Sequence, residues 1–416
     1  MDIEKQIHST ELAGITRRKG EIFPDYAGYS ICNIPQMILS FFGDQSMNNT
    51  LTRYLTQKID SSARKVVLII IDGLGYYHLQ EHLQLFPDLY FHRLIEDGVM
   101  MPLTSVFPST TTAALTTYST GTTPEEHGML GYRLYLKEIG AITNMIKLSV
   151  LGNTKGDSAL DIGIDAGNFL GLPTLYQQLA QCGVNSHVFL SRHIKESGLS
   201  HLLYRGTDSI NPIHSSSDMM AQVRSLLQRT RTEMFINVYW GMTDTIAHTY
   251  GPQTEEFTAE LRSFAACLER ELSGRIKDTL LLVCSDHGFA AVDRSNYIDI
   301  TEYPELTDAL FLPPVGDSRA AYLYTKPGKE RAVARFIEKN LSADLLCLKS
   351  HDALQSGLFG LGQTKPETID RIGDLTVIST GATTLYYPYT KGLYLKGMHG
   401  GITEDEMIVP LIARSF

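Results

Sequence analysis

Between Lys65 and Asp72 the chain reads Val-Val-Leu-Ile-Ile-Ile, apolar at every position. A strand with one face in water alternates apolar and polar side chains. A run without alternation therefore belongs to a strand covered on both faces, as inside a parallel sheet flanked by helices. Its β-branched residues are stiff at χ1 and favour extended backbone. Met234–Trp240 and Thr279–Cys284 have the same character, and shorter strands are expected at 100–106 and 186–190. Helical patterns fall between them, at 76–97, 174–181, 217–229 and, amphipathically, at 257–272. Strands alternating with helices predict an α/β fold, a doubly wound and mostly parallel sheet flanked by helices. From Pro304 the texture changes: Leu312-Pro-Pro-Val-Gly is loop-like, 319–325 and 375–379 are strand-like, and 329–340 is an amphipathic helix. Residues 304–390 are expected to form a small, cap-like α+β insertion in a catalytic domain made of residues 1–303 and 391–416.

In such sheets ligands gather outside the carboxyl ends of the strands. Three of the apolar strands run within a few residues into an aspartate: Asp72, Asp244 and Asp286. Asp244-Thr-Ile-Ala-His248 is an i, i+4 pair, which on a helix puts both side chains on one face, close enough to share a metal ion. Asp286 and His287 are strand-end neighbours that reach one site only where the chain turns, and Gly288 permits a turn. His399 precedes Gly400-Gly401, a flexible loop. Taken singly, each has an ordinary reading: an Asp-Gly turn, a pair on a helix surface, a satisfied loop histidine, a solvated histidine. Together they place three carboxylates and three imidazoles near strand ends, a mixture suited to zinc or a similar divalent ion. Two such ions activate a nucleophile and stabilise the oxygens of an in-line displacement.

A source of that nucleophile lies between Val106 and Gly121. After Pro108 come four hydroxyls, Ser109, Thr110, Thr111 and Thr112, and then helix-forming Ala113, Ala114 and Leu115. A hydroxyl at a helix start can cap it, or stand before free N–H groups that stabilise an anion such as phosphate. It attacks phosphorus only if a base or a metal ion takes its proton.

The net charge of −10 speaks against a nucleic-acid polymer as partner, because that affinity rests on Lys and Arg neutralising phosphates. It leaves room for a small phosphorylated substrate, a nucleotide among them, whose charge a metal offsets locally. The apolar run is too short to span a bilayer, the opening residues carry no basic and apolar leader, and five cysteines without a CxxC read as reduced thiols. A cytoplasmic protein without a membrane partner is expected.

Asp72-Gly73 after its strand, Phe107-Pro-Ser-Thr-Thr111, Thr243-Asp244-x-x-x-His248-x-Tyr-Gly-Pro252, Ser285-Asp286-His287-Gly288 and His399-Gly400 occur in that order. The series resembles the alkaline phosphatase superfamily and, within it, the nucleotide pyrophosphatase/phosphodiesterase group, over residues 65–410. The resemblance implies two divalent metal ions, zinc before others, and Thr111 as the nucleophile that becomes a phosphothreonine while a phosphodiester or pyrophosphate bond is cleaved. Asp72, Asp286 and His287, with Thr111, would hold one ion; Asp244, His248 and His399 would hold the other, on the leaving-group side. The chain departs from the group twice: Thr110 stands where a lysine is usual, and Tyr132 where a phosphate-binding asparagine is. Tyr132, Arg133 or Asn144 could supply the lost donor, or Tyr132 could pack against a hairpin expected over residues 132–148. A phosphomonoesterase or phosphonate hydrolase on the same scaffold is the alternative activity. A non-catalytic binding protein would have lost a ligand, and a sulfatase would carry Cys/Ser-x-Pro-x-Arg; neither holds here. His127 reads as structural, and Arg319 and Trp240 receive no role.

Overall fold

In the computed structural model of the chain, Lys65–Ile71 is a strand buried at every residue. The structure describes residues 2–44, 49–59, 62–390 and 392–416, so the expected boundary at 391 lies outside the described residues. Lys65–Ile71 pairs in parallel with Met234–Trp240 on one side and Thr279–Cys284 on the other. Met234–Trp240 continues in parallel to Asn185–Ser191, and that strand to Ser209–Ile213. At the opposite edge Ile408–Ser415 runs antiparallel between Thr279–Cys284 and Val99–Thr104, completing a seven-stranded, mostly parallel sheet.

The absence of alternation in the strands has its counterpart in two cores. Val66, Leu68 and Ile70 face a core shared with the N-terminal segment through Ile7, Ile22, Phe23, Ile34 and Ile38. Val67, Ile69 and Ile71 face helices Ser216–Arg229 and Glu255–Leu272. Glu255–Leu272 starts where the Thr254 side chain accepts from the Phe257 N–H, and it buries Phe257, Leu261, Phe264, Leu268 and Leu272, the stripe its spacing predicts. Each such side chain, fully buried, contributes roughly 1.5–3 kcal/mol.

A second seven-stranded sheet, antiparallel in its described pairings, stands over the carboxyl edge of the first. Leu345–Lys349, Leu375–Ser379, Ala320–Leu323 and Val315–Gly316 come from the 304–390 segment. The 132–148 stretch does form a hairpin, Arg133–Leu136 with Ala141–Asn144, and it joins this sheet through the pair Gly316↔Arg133. The cap sheet thus draws on residues 133–150 as well as on the later segment. Gly131 and Gly316 make the seam possible: a Cβ on Gly131 would stand 2.9 Å from the Gly316 Cα. Ala321, Leu323, Val333, Ile337, Leu375 and Val377 form a small core of the cap's own. Among the described residues no helix is long and apolar enough to cross a membrane.

Candidate active site

Strand register puts the acidic residues at one edge. Ile71 pairs with Trp240 and Ile70 with Cys284, so Asp72, the start of helix Met242–Tyr250 and Ser285-Asp286-His287 all leave the sheet at neighbouring points. Asp244 and His248 lie on that helix as the spacing predicts, and the Thr243 hydroxyl ties it to the Asp72 carbonyl at 2.5 Å. Gly73 adopts φ 77°, a left-handed conformation that a side chain disfavours. Gly288 differs from the sequence reading. Its φ is not left-handed; the position is closed to larger residues because a Cβ would lie 1.9 Å from the Asp405 carbonyl oxygen.

Two triads face each other across this edge: Asp72, Asp286 and His287, and Asp244, His248 and His399, with ligand atoms within 4.8 Å of one another in each. The His287 and His399 rings stack with centroids 3.7 Å apart, so the triads abut. Every imidazole turns the same way. The Nδ1 atoms of His287, His248 and His399 lie 3.0, 2.8 and 3.1 Å from the carbonyl oxygens of Gly288, Gly397 and Ser109. That contact places the hydrogen on Nδ1 and leaves each Nε2 as an electron-pair donor towards the carboxylates, the arrangement in which histidine binds metal. Each aspartate also keeps one oxygen, Asp72 Oδ1, Asp244 Oδ1 and Asp286 Oδ2, buried and without a hydrogen-bond partner. The other oxygens of two of them are tied down: Asp72 Oδ2 accepts from Tyr239, and Asp286 Oδ1 from the N–H groups of Gly73 and His287. Burial, then Asp286 and Asp244, push the Asp72 carboxyl well above its ordinary range, and burial raises Asp244. Burial, then His287 and His248, hold His399 well below its usual value and so neutral. Three carboxylates, each with one buried and partnerless oxygen, beside three inward-facing imidazoles have the donor chemistry of a divalent-metal site.

Thr111 is the first residue of the buried helix Thr111–Thr120, and its Oγ1 lies 3.1 Å from His287 Nε2. None of the four hydroxyls here is spent on capping that helix. Thr110, in the N-cap position, donates to Asp317 Oδ1 at 3.3 Å, Ser109 donates to the Gly401 carbonyl at 2.7 Å, and Thr112 has no partner. The N–H groups of Thr111, Thr112 and Ala113 precede the first helical hydrogen bond, Ala114 N–H to Thr110 C=O.

The helix start opens into a cavity of about 390 Å³ under the cap, lined by Thr111, Asp244, His248 and His399 and walled by Tyr132, Arg133, Tyr297, Tyr386, Tyr387 and Tyr389. Of the three residues weighed as substituted phosphate donors, the structure brings Tyr132 and Arg133 to the cavity and not Asn144. The Asn144 Oδ1 accepts from the N–H groups of Ile146 and Lys147, which makes it a turn residue of the hairpin.

His127 is structural: it is buried between the Met129 N–H and the Thr117 hydroxyl, and burial followed by Lys365 and Arg371 takes its pKa to about 3. Trp240 donates to Glu260 and packs on Phe264, behind the site. Arg319 is fully buried, bonds Glu406 through Nε at 2.8 Å and Nη2 at 2.6 Å, and also bonds the Thr383 carbonyl. Glu406 in turn accepts from the Gly401 N–H, so the pair fastens the His399 loop to the cap. Two site residues escaped the sequence reading. Tyr239 read only as a strand former, and Asp317, between the loop-like 312–316 and the strand-like 319–325, received no reading. Asp317 is half-buried beside Thr110, accepts from the Tyr132 N–H at 3.1 Å, and is pushed by desolvation up to about 6.

A mostly parallel sheet with helices on both faces, a cap over its carboxyl edge and two Asp/His triads beside a helix-start threonine define a metal-dependent phosphoric ester hydrolase of the alkaline phosphatase superfamily. The family model for type I phosphodiesterase/nucleotide pyrophosphatase matches residues 66–402, and the chain belongs to that family. No curated protein matches the sequence significantly. Similar solved structures include murine ectonucleotide pyrophosphatase/phosphodiesterase 5, as an inactive threonine-to-alanine variant in complex with AMP, at 17% identity and a TM-score of 0.65, covering 85% of this chain and 88% of that one. The human protein of that name gives 17% and 0.66, covering 84% and 88%. Phosphonoacetate hydrolase from Sinorhizobium meliloti, in complex with phosphonoformate, gives 20% and 0.62, covering 85% and 91%.

Proposed function

We propose that the protein hydrolyses phosphodiester or pyrophosphate bonds of a small substrate by double displacement at Thr111, with two zinc ions as its metals. Asp72, Asp286, His287 and Thr111 hold one ion, and Asp244, His248 and His399 the other. The observation that carries the reading is the set of three partnerless carboxylate oxygens and three inward Nε2 atoms flanking one threonine hydroxyl. When bound, the ions supply positive charge that favours the ionised threonine and offsets charge developing on the phosphoryl oxygens. Thr111 Oγ1 bonds to phosphorus as the bond to the leaving oxygen breaks, which gives a phosphothreonine; water then attacks the same phosphorus and releases Thr111. The free N–H groups at the helix start and its dipole stabilise the phosphoryl oxygens throughout. An inactive variant of the murine fold neighbour replaces a threonine by alanine, which accords with a threonine nucleophile. Five unpaired cysteines accord with a cytoplasmic setting, which we propose as well.

Preference for a diester follows from the residues beside Thr111. A monoester carries extra negative charge on a non-bridging oxygen and calls for a cation or added donors there. This chain places Thr110 and the Asp317 carboxyl at that point. The test compares kcat/KM for an aryl phosphodiester and the monoester of the same leaving group. The diester is expected to be favoured; a monoester preference of tenfold, about 1.4 kcal/mol, moves the assignment to a phosphatase.

A further inference from the structure

We propose that Arg133 determines specificity at this site by taking, bidentately, a second anionic group of the substrate, a phosphoryl or a carboxylate carried beyond the scissile phosphorus. The inference rests on the hydrolase reading above. Arg133 is the only Lys or Arg among the described residues that line the cavity holding Thr111, Asp244 and His399. Its backbone is fixed in the cap sheet, opposite Gly316 on one side and Asn144 on the other. Its guanidinium carbon lies 4.7 Å from the centre of the Tyr132 ring and 4.5 Å from that of Tyr389.

The two rings are themselves held. Tyr389 donates its hydroxyl to the Pro314 carbonyl at 2.8 Å and meets Tyr387 edge-on, and the Tyr132 N–H is bound to Asp317. A cation fixed by aromatic faces keeps its planar fork, because stacking uses the face and not the N–H edges. No hydrogen bond or ion pair to another described residue occupies those donors. The carboxylate nearest in function, Asp317, is committed to Thr110 and Tyr132. An unfilled, pre-oriented fork in a substrate cavity loses little freedom on binding a planar carboxylate or a phosphoryl group, and bidentate pairing adds direction to charge. The triads and the helix start serve the scissile phosphoryl, so Arg133 is available to a group one step further out.

The test measures binding without turnover, by calorimetry, to the zinc-loaded Thr111→Ala protein. The ligands are diphenyl phosphate, with one anion; P1,P2-diphenyl pyrophosphate, with a second phosphoryl; and phenyl 3-carboxyphenyl phosphate, with a carboxylate. One of the two-anion ligands is expected to bind at least about tenfold more tightly than diphenyl phosphate, and that ratio is expected to fall below about threefold when Arg133→Met is added. Which ratio collapses tells a phosphoryl from a carboxylate. Arg133→Lys, which keeps charge but lacks the fork, is expected to give an intermediate ratio and guards against a folding defect in the methionine variant. No preference for either two-anion ligand, or a ratio indifferent to Arg133, overturns the proposal: the arginine then only covers the tyrosine rings. If the ratio behaves as expected while the wild type cleaves no diester or pyrophosphate, the hydrolase reading fails and the anion site stands.

Discussion

Tyr239 is the penultimate residue of the strand Met234–Trp240, and its hydroxyl donates to Asp72 Oδ2, the oxygen opposite the one left free. A group so placed orients a metal ligand rather than touching the metal. Tyr239→Phe removes the donor and leaves a buried acceptor unpaired, a cost of about 1–3 kcal/mol. Affinity for zinc at the Asp72 triad is expected to weaken about 10–100-fold, as read by competition with a chelator alongside the melting temperature. An unchanged zinc affinity would mean that Asp72 is positioned by its burial alone. At this scale the sequence was informative where residue type is rare and chemically committed. Asp and His beside strand ends have few other uses, so the six side chains that the structure gathers into two triads were legible. Tyr239 was not, because tyrosine is an ordinary strand former, and Asp317 was not, because Asp beside Gly is an ordinary loop signature. Asn144 erred the other way: an asparagine in a hairpin offered an amide, and the local backbone took it.

Among elements, the informative contact is the one between cap and sheet edge. Arg319 belongs to a cap strand turn and Glu406 to the short helix Glu404–Met407, and their fully buried pair holds the loop that carries His399. Removing one partner of a buried pair leaves an uncompensated charge. Arg319→Ala is therefore expected to destabilise the protein by about 3–5 kcal/mol. It is also expected to reduce zinc retained by the His399 triad more than by the Asp72 triad, which elemental analysis combined with Asp72→Asn or Asp244→Asn resolves. Equal loss from both sites would assign the pair to general stability. Interior strands and the amphipathic helices were legible because their periodicity reflects which faces are covered. The strand Ile408–Ser415 was not legible, because the proline at 410 breaks its strand signature and it pairs antiparallel in an otherwise parallel sheet. The union of the 133–150 hairpin with the later cap strands rests on contacts far apart in sequence, which no local pattern encodes.

For the molecule as a whole, the metal site couples chemistry to stability. Without metal, Asp72 and Asp244 titrate above their ordinary values. The folded chain then keeps protons that the unfolded chain has released, so this contribution is complete below the ordinary aspartate range and is lost as pH rises through the raised folded values. Metal binding needs the ionised forms and strengthens with pH. Zinc is thus expected to raise the melting temperature of chelator-treated protein more near about pH 8 than near about pH 5. A stabilisation by zinc that shrinks with rising pH would contradict the assignment of these acids as ligands. Sheet edge, helix start and both triads converge on the Thr111 hydroxyl, the proposed nucleophile. Its most direct test is an acid quench of the zinc-loaded protein during turnover of bis(4-nitrophenyl) phosphate, followed by peptide mass mapping. A nitrophenylphosphoryl group is expected on Thr111 and is expected to disappear as substrate is exhausted; turnover with Thr111 unmodified, or with the group on Ser109, Thr110 or Thr112, would contradict a Thr111 nucleophile.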